Sequence, residues 1–330
     1  MPFTIDPEVG AALAALTPPG QDPPPPSALG DVASRRAMVQ TMFSAILPTM
    51  PEDVTTKDFY ATASDGHSIL LRLYTKKGSA SSSKTPAVLY AHGGGFIAGS
   101  VPLYDPIVGG YVSKTGVPFV SVEYRLAPEH KYPIPVSDAY AGLVWLHDHV
   151  SELHIDASRI AVMGDSGGGG MVAALAHWAM QKRGPGIAKQ ILIYPMLDDR
   201  NVTHDPQIGS FAIWSSVDNE TGWNAMLGSK RGTASVPPCA APARMRDAIG
   251  LPTTYIETGE LDIFRNEDIE YAAKFGKAGI SVELHVHPGC PHGFEVFAPN
   301  SKVARRAMKD RYRAIQSIHP LEAETETANL

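Results

Sequence analysis

Two rhythms of apolar residues run along this chain. Eight short stretches, either apolar throughout or alternating with polar residues, fall near residues 56–62, 67–75, 86–91, 117–123, 158–163, 188–194, 252–258 and 281–287 and read as β-strands. Between the later ones, near 103–114, 135–150, 167–183, 265–279 and 303–317, apolar residues recur every three or four positions, the period of a helix. Strands separated by whole helices cannot be hairpin partners, so the third to eighth strands are expected to run parallel, joined by crossovers. Asp65-Gly66 between the first two is a hairpin turn signal. The predicted class is α/β, a mostly parallel eight-stranded sheet flanked by helices.

Two stretches stand outside this alternation. Residues 1–50 hold an apolar helical pattern at 7–16, a proline-rich linker through Pro18, Pro19 and Pro23–Pro26, and a second helical pattern near 32–47. Residues 198–250 carry no strand pattern, only helix-like spacing around Phe211-Ala212-Ile213-Trp214 and Trp223-Asn224-Ala225-Met226-Leu227. The division expected is therefore 1–50, 51–197, 198–250 and 251–330, the second and fourth pieces forming one domain.

Composition narrows what such a domain does. A chain of 330 residues with 44% hydrophobic content can bury one large core with a small addition. Its formal net charge of −6, with no basic stripe, argues against nucleic acid as a partner. The first twenty residues carry Asp6 and Glu8 and no long apolar run, so neither a secretory signal nor a membrane span is expected, and a cytoplasmic location is. Cys239 and Cys290 have no spacing that asks for a disulfide and read as free thiols.

The chemistry concentrates at strand ends. Residues 159–163 run straight into Gly164-Asp165-Ser166-Gly167-Gly168, with a helical run behind. A serine nucleophile needs that sharp strand-to-helix turn to expose its hydroxyl, and small residues two before and two after it let the chain turn. His92-Gly93-Gly94-Gly95-Phe96 follows another apolar strand, 74 residues earlier. Such a loop can aim bare N–H groups at an oxyanion, with the N–H of Gly167 as a further donor. Gly94 and Gly95 are the favoured donors, Gly93 the residue that shapes the turn. A serine also needs a base and an acid that orients it, and on this type of scaffold they come in the chain order Ser, Asp or Glu, His. Asp262 lies 96 residues after Ser166 and His292 another 30 on, both on loops after strands. Glu260 is the nearest rival acid, and Asp198 and Asp199 after the sixth strand are a further alternative.

Several other polar groups take structural readings. His285 and His287 share a strand face without the partners a metal site requires, and read as packing residues. Arg125 and Glu129 are expected to form an ion-pair network under the loop after the fourth strand. No metal and no organic cofactor is called for.

Six segments, His92 to Phe96, Tyr124 to Glu129, Gly164 to Gly168, Tyr194 to Asp198, Asp262 with Phe264 to Glu267, and His292-Gly293-Phe294, resemble in order the hormone-sensitive-lipase-like branch of the α/β-hydrolases. The resemblance covers roughly residues 50 to 317. It implies Ser166 as nucleophile, Asp262 as orienting acid, His292 as base, and an oxyanion hole from the loop glycines and Gly167. It also implies that residues 1–50 and 198–250 pack together as a helical cap over the serine, and that pairing near the last strand gives a homodimer. Phe96, Trp214 and Trp223 are candidate substrate contacts, the two tryptophans reading equally as cap core. Two positions depart from the family pattern: Gly167 where Ala is usual, and Asn266 where Asp is common. The function this predicts is a serine carboxylesterase for small, short-acyl esters. An amidase or lactonase with the same triad is the alternative. A ligand receptor on the same fold, as in the plant gibberellin receptors that lack the histidine, is disfavoured by His292.

Overall fold

The computed structural model describes residues 3–16, 26–79 and 83–321; the linker prolines Pro18, Pro19 and Pro23–Pro25 lie outside the described residues. The strands are β1 (Val54–Thr62), β2 (Ser68–Lys76), β3 (Thr85–Ala91), β4 (Phe119–Val122), β5 (Ile155–Asp165), β6 (Lys189–Ile193), β7 (Thr253–Gly259) and β8 (Val282–His287). They form one sheet in the order β1-β2-β4-β3-β5-β6-β7-β8. β1 and β2 pair antiparallel, β2 meets β4 antiparallel, and every pairing from β4 to β8 is parallel. The hairpin turns at Asp65-Gly66, where Gly66 takes φ 84°, a conformation a residue with a Cβ resists.

The helices are α1 (Pro7–Leu16), α2 (Val32–Ile46), α3 (Val101–Thr115), α4 (Ile134–Asp148), α5 (Gly167–Lys182), α6 (Ser216–Leu227), α7 (Arg265–Lys277), α8 (Phe294–Phe297) and α9 (Lys302–Gln316). The central strands are covered on both faces, so they read as unbroken apolar runs. Along β3, Ala87, Leu89 and Ala91 face the core shared with α4, α5 and α7, while Val88 and Tyr90 face the core shared with α3 and α9. Each fully buried Val, Leu or Ile there contributes about 1.5–3 kcal/mol. Both cysteines are buried and unbridged.

The segments at 1–50 and 198–250 do not come together as one piece. α2 joins α6: the fully buried Arg35 donates to Asp218 at 2.8 Å and to the carbonyls of Ala28 and Asp31, and Gly30 N donates to Thr221 Oγ1 at 3.0 Å. Asp218 also completes the capping box of α6 with Ser215, so one carboxylate starts a helix and pins its neighbour. α1 lies elsewhere, its Val9 in a small core with Cys290, Phe294 and Ala304 beside α8 and α9. Its apolar face is narrow and is satisfied by that patch.

Arg125 and Glu129 do not pair with each other. Arg125 holds the buried Asp138 of α4 and the hairpin's Asp65, each at 2.7 Å. Glu129 instead holds Arg36 of α2 at 2.7 Å, a hydrogen bond that takes its carboxyl down to about 2. The segment thus ties the hairpin to α4 and, separately, the loop after β4 to α2, a division that spacing alone does not reveal.

Candidate active site

β5 leaves the sheet through Gly164-Asp165-Ser166 and α5 begins on the next residue. Ser166 takes φ 54° and ψ −122°, a conformation that costs a residue with a side chain of order 1–3 kcal/mol. The surrounding bonds enforce it. Ser166 N donates to Ile193 O at 2.8 Å, and Ser166 O accepts from Gly170 and Met196, each at 3.0 Å. Gly168 lets α5 settle on the end of β3, since a Cβ there would press into the carbonyls of Ala91 and His92.

His292 follows β8 and reaches both partners. Its Nδ1 is 2.6 Å from Asp262 Oδ2 and its Nε2 3.0 Å from Ser166 Oγ. A carboxylate only accepts, which assigns the imidazole proton to Nδ1 and leaves Nε2 as the acceptor for the serine hydroxyl. Asp262 is fixed in turn by Phe264 N at 3.0 Å. The imidazole is held edge-on to Tyr194 and Phe264, with ring centroids at 4.5 and 5.3 Å. Burial works against a charge on His292; the charge and hydrogen bond of Asp262, with Glu295 and Asp165 farther off, outweigh it and hold the imidazole above its ordinary value.

The rival acids are engaged elsewhere. Glu260 accepts from Gly289 N at 2.9 Å, Asp198 binds Arg200, and Asp199 is held by Arg244 at 2.6 Å and by Gly232 N. Asp165 turns away from its neighbour, as an adjacent residue on an elbow does. It accepts from Tyr90 Oη and, at 3.2 Å, from Tyr104 Oη. Burial raises its carboxyl to about 6, and Glu295's charge adds to that.

In the loop after β3, Gly93 packs against Tyr104, whose hydroxyl would stand 2.7 Å from a Cβ placed on it, while the N–H groups of Gly94 and Gly95 have no partner among the described residues. These two and the N–H of Gly167 remain available. Gly167 lies so close that a Cβ on it would stand 2.8 Å from Gly95 N and 2.9 Å from Phe96 N. The arrangement suits acyl transfer: an oriented base, a serine and donors preorganised nearby.

A cavity of about 850 Å³ opens over Ser166 and His292. Trp214 lines it and stands against Gly95. Phe96 and Trp223 do not line it, contrary to expectation. Both are buried and pack edge to face at 5.0 Å behind the loop, with Phe96 also against Gly170. The φ of 67° at Phe96 turns its ring inward. Sequence reading missed the wall supplied by α2, including Met38, Met42 and Phe43. It also missed the buried pairing behind the histidine, where Arg311 of α9 binds Glu257 and Glu295, and Glu295 accepts from Tyr194 at 2.7 Å. Glu295 sits three residues after His292 in a helix of only four residues, too short to show a period.

His285 hydrogen-bonds Glu283 at 2.6 Å and His287 is buried. Among the described residues no helix is long and apolar enough to cross a membrane, and no cluster of three or more His, Cys, Asp or Glu could hold a metal.

Comparison with known proteins agrees with this fold. The family model described as "alpha/beta hydrolase fold" matches residues 88–296. A carboxylesterase of Mycobacterium tuberculosis, NlhH, is 36% identical over 225 residues, spanning 64% of this chain and 67% of the relative. An ethyl acetate hydrolase of Pseudomonas putida is 30% identical over 239 residues, 72% of this chain and 74% of its own. The solved structure of a bacterial heroin esterase superposes with a TM-score of 0.85 at 35% identity, covering 95% of this chain and 97% of that one. With the matched region spanning most of the sheet, the serine turn and the histidine loop, this chain belongs to the α/β-hydrolase fold family, in its hormone-sensitive-lipase-like branch.

Proposed function

We propose that this protein is a serine carboxylesterase that hydrolyses small esters with a short acyl half through an acyl-enzyme. Relatives named as carboxylesterases and esterases support ester hydrolysis. The observation that carries the residue roles is the unbroken line from Ser166 Oγ through His292 to Asp262. In this reading His292 Nε2 takes the serine proton as Oγ attacks the ester carbonyl. The negative charge on the carbonyl oxygen is received by the N–H groups of Gly94, Gly95 and Gly167, with Gly93 and Tyr104 shaping the turn. His292 then returns the proton to the departing alcohol, and water activated by the same imidazole releases the acid.

Residues 26–47 and 198–250 serve as the cap over this site, and Trp214 as its substrate contact. A cytoplasmic location and a homodimer belong to the same proposal, and the chemistry requires neither. The test is a panel of short esters, the matching amides and lactones, assayed with wild type and Ser166→Ala. Ester turnover that disappears in the variant supports the reading; turnover confined to amides or lactones would replace it.

A further inference from the structure

We propose that the cavity over Ser166 is built for esters whose alcohol half is an extended apolar body ending in an anion, received by Lys114 and Lys309. The proposal rests on the esterase reading above. A volume of about 850 Å³ is near the upper end of the range that holds drug-sized ligands, more than a short acyl group fills. The cavity has direction. The departing alcohol takes its proton from His292 Nε2, so it leaves on the histidine's side. On that side the wall continues through Val296 and Phe297 to Met308 and Tyr312 of α9.

Charge along that wall is separated. Arg305, Met308, Lys309 and Tyr312 all line the cavity, and their spacing of three and four residues puts them on one face of α9. Lys114, in the last turn of α3, lines it as well. Lys114, Arg305 and Lys309 are exposed, and neither lysine has a hydrogen-bond or ion-pair partner among the described residues. Among the described residues the only carboxylates lining the cavity are Asp165 and Glu295, beside Ser166 and His292 and already bound to tyrosines or Arg311. A chain of net charge −6 therefore presents unpaired, solvent-exposed lysines on the wall of a cavity lined mostly by apolar residues. A carboxylate, sulfate or phosphate at the end of an aliphatic or aromatic alcohol matches that order: ester at Ser166, apolar body along α2 and α9, anion left in water beside the lysines. Two such solvent-exposed contacts are together worth roughly tenfold in kcat/KM.

The experiment compares alkyl acetates with ω-acetoxy alkanoates of the same chain length over a rising series, in wild type and in Lys114→Glu/Lys309→Glu, each rate normalised to ethyl acetate on the same protein. The expected result is a chain length at which the anionic ester is preferred in wild type and loses about tenfold in the variant, an effect that shrinks as salt is raised. An anion-to-neutral ratio that is the same in both proteins at every length overturns the proposal. Calorimetric binding of dodecanoate, which carries no ester, separates this from failure of the esterase reading. Tighter binding to wild type than to the variant supports the lysine site even if nothing is hydrolysed, and equal binding overturns it.

Discussion

The hydroxyl of Tyr104 joins Asp165 to the loop after β3: it donates to Asp165 Oδ2 at 3.2 Å and packs closely against Gly93. The residue before the serine and the first glycine of the donor loop therefore share one side chain. Two strand ends that must be registered to within a fraction of an ångström for acyl transfer are fixed to each other by it.

Tyr104→Phe should lower kcat by roughly tenfold with KM little changed, because the loop loses its reference point while the cavity keeps its shape. Leaving the buried Asp165 short of one of its two tyrosine partners should also cost about 1–3 kcal/mol of stability. Steady-state kinetics and thermal unfolding check both. An unchanged kcat would show that the loop is held without this phenol.

The raised carboxyl of Asp165 has a sign that thermal unfolding can read. Native Asp165, at about 6, holds its proton where the unfolded residue, near 3.8, has lost it. This group's contribution to stability is therefore full below pH 3.8 and is lost as pH rises toward 6. Asp165→Asn removes that loss, so its Tm relative to wild type should rise between pH 4 and pH 7. A difference that is flat across that range would contradict the assignment.

His292 must be neutral to accept the serine proton. Its native value is held above the ordinary 6.5, against burial, chiefly by Asp262, so kcat/KM for a neutral ester should rise with pH about a midpoint above 6.5. Asp262→Asn should move the midpoint down and lower kcat by about 10⁴-fold. A wild-type midpoint at or below 6.5 would show that burial outweighs the carboxylate.

Gly167→Ala restores the residue usual in the family but should impair this enzyme. The new methyl would stand 2.8 Å from Gly95 N, closer than such atoms approach, so the donor loop must shift. We expect a ten- to hundredfold fall in kcat, with little change in Tm. Full activity would show that the loop yields without consequence.

Most of the sheet was legible because its signals are local. β3 and β5 are buried on both faces and read as continuous apolar runs, and the serine turn is written in five consecutive residues. Asp262 and His292 stand out as candidates because each follows a strand, in the chain order a serine triad uses on this scaffold. What escaped depends on pairing across long separations. Arg311 meets Glu257 from 54 residues away, and Arg35 meets Asp218 from 183. Their spacings carry no periodic trace. Phe96 departs from expectation for a related reason: its type suits a substrate pocket, but at φ 67° it packs toward Gly170 and Trp223. α1 packs beside α8 and α9 and not with the cap; the apolar pattern of a short helix does not say which surface it covers.

The most direct test of the central claim is the site and stoichiometry of covalent labelling by an organophosphate ester such as diethyl 4-nitrophenyl phosphate, read by peptide mass spectrometry beside residual esterase activity. The account predicts one adduct per chain, on the peptide carrying Ser166, with activity lost in proportion and labelling abolished in His292→Ala. An adduct on another residue, or full activity in a fully labelled protein, would contradict it.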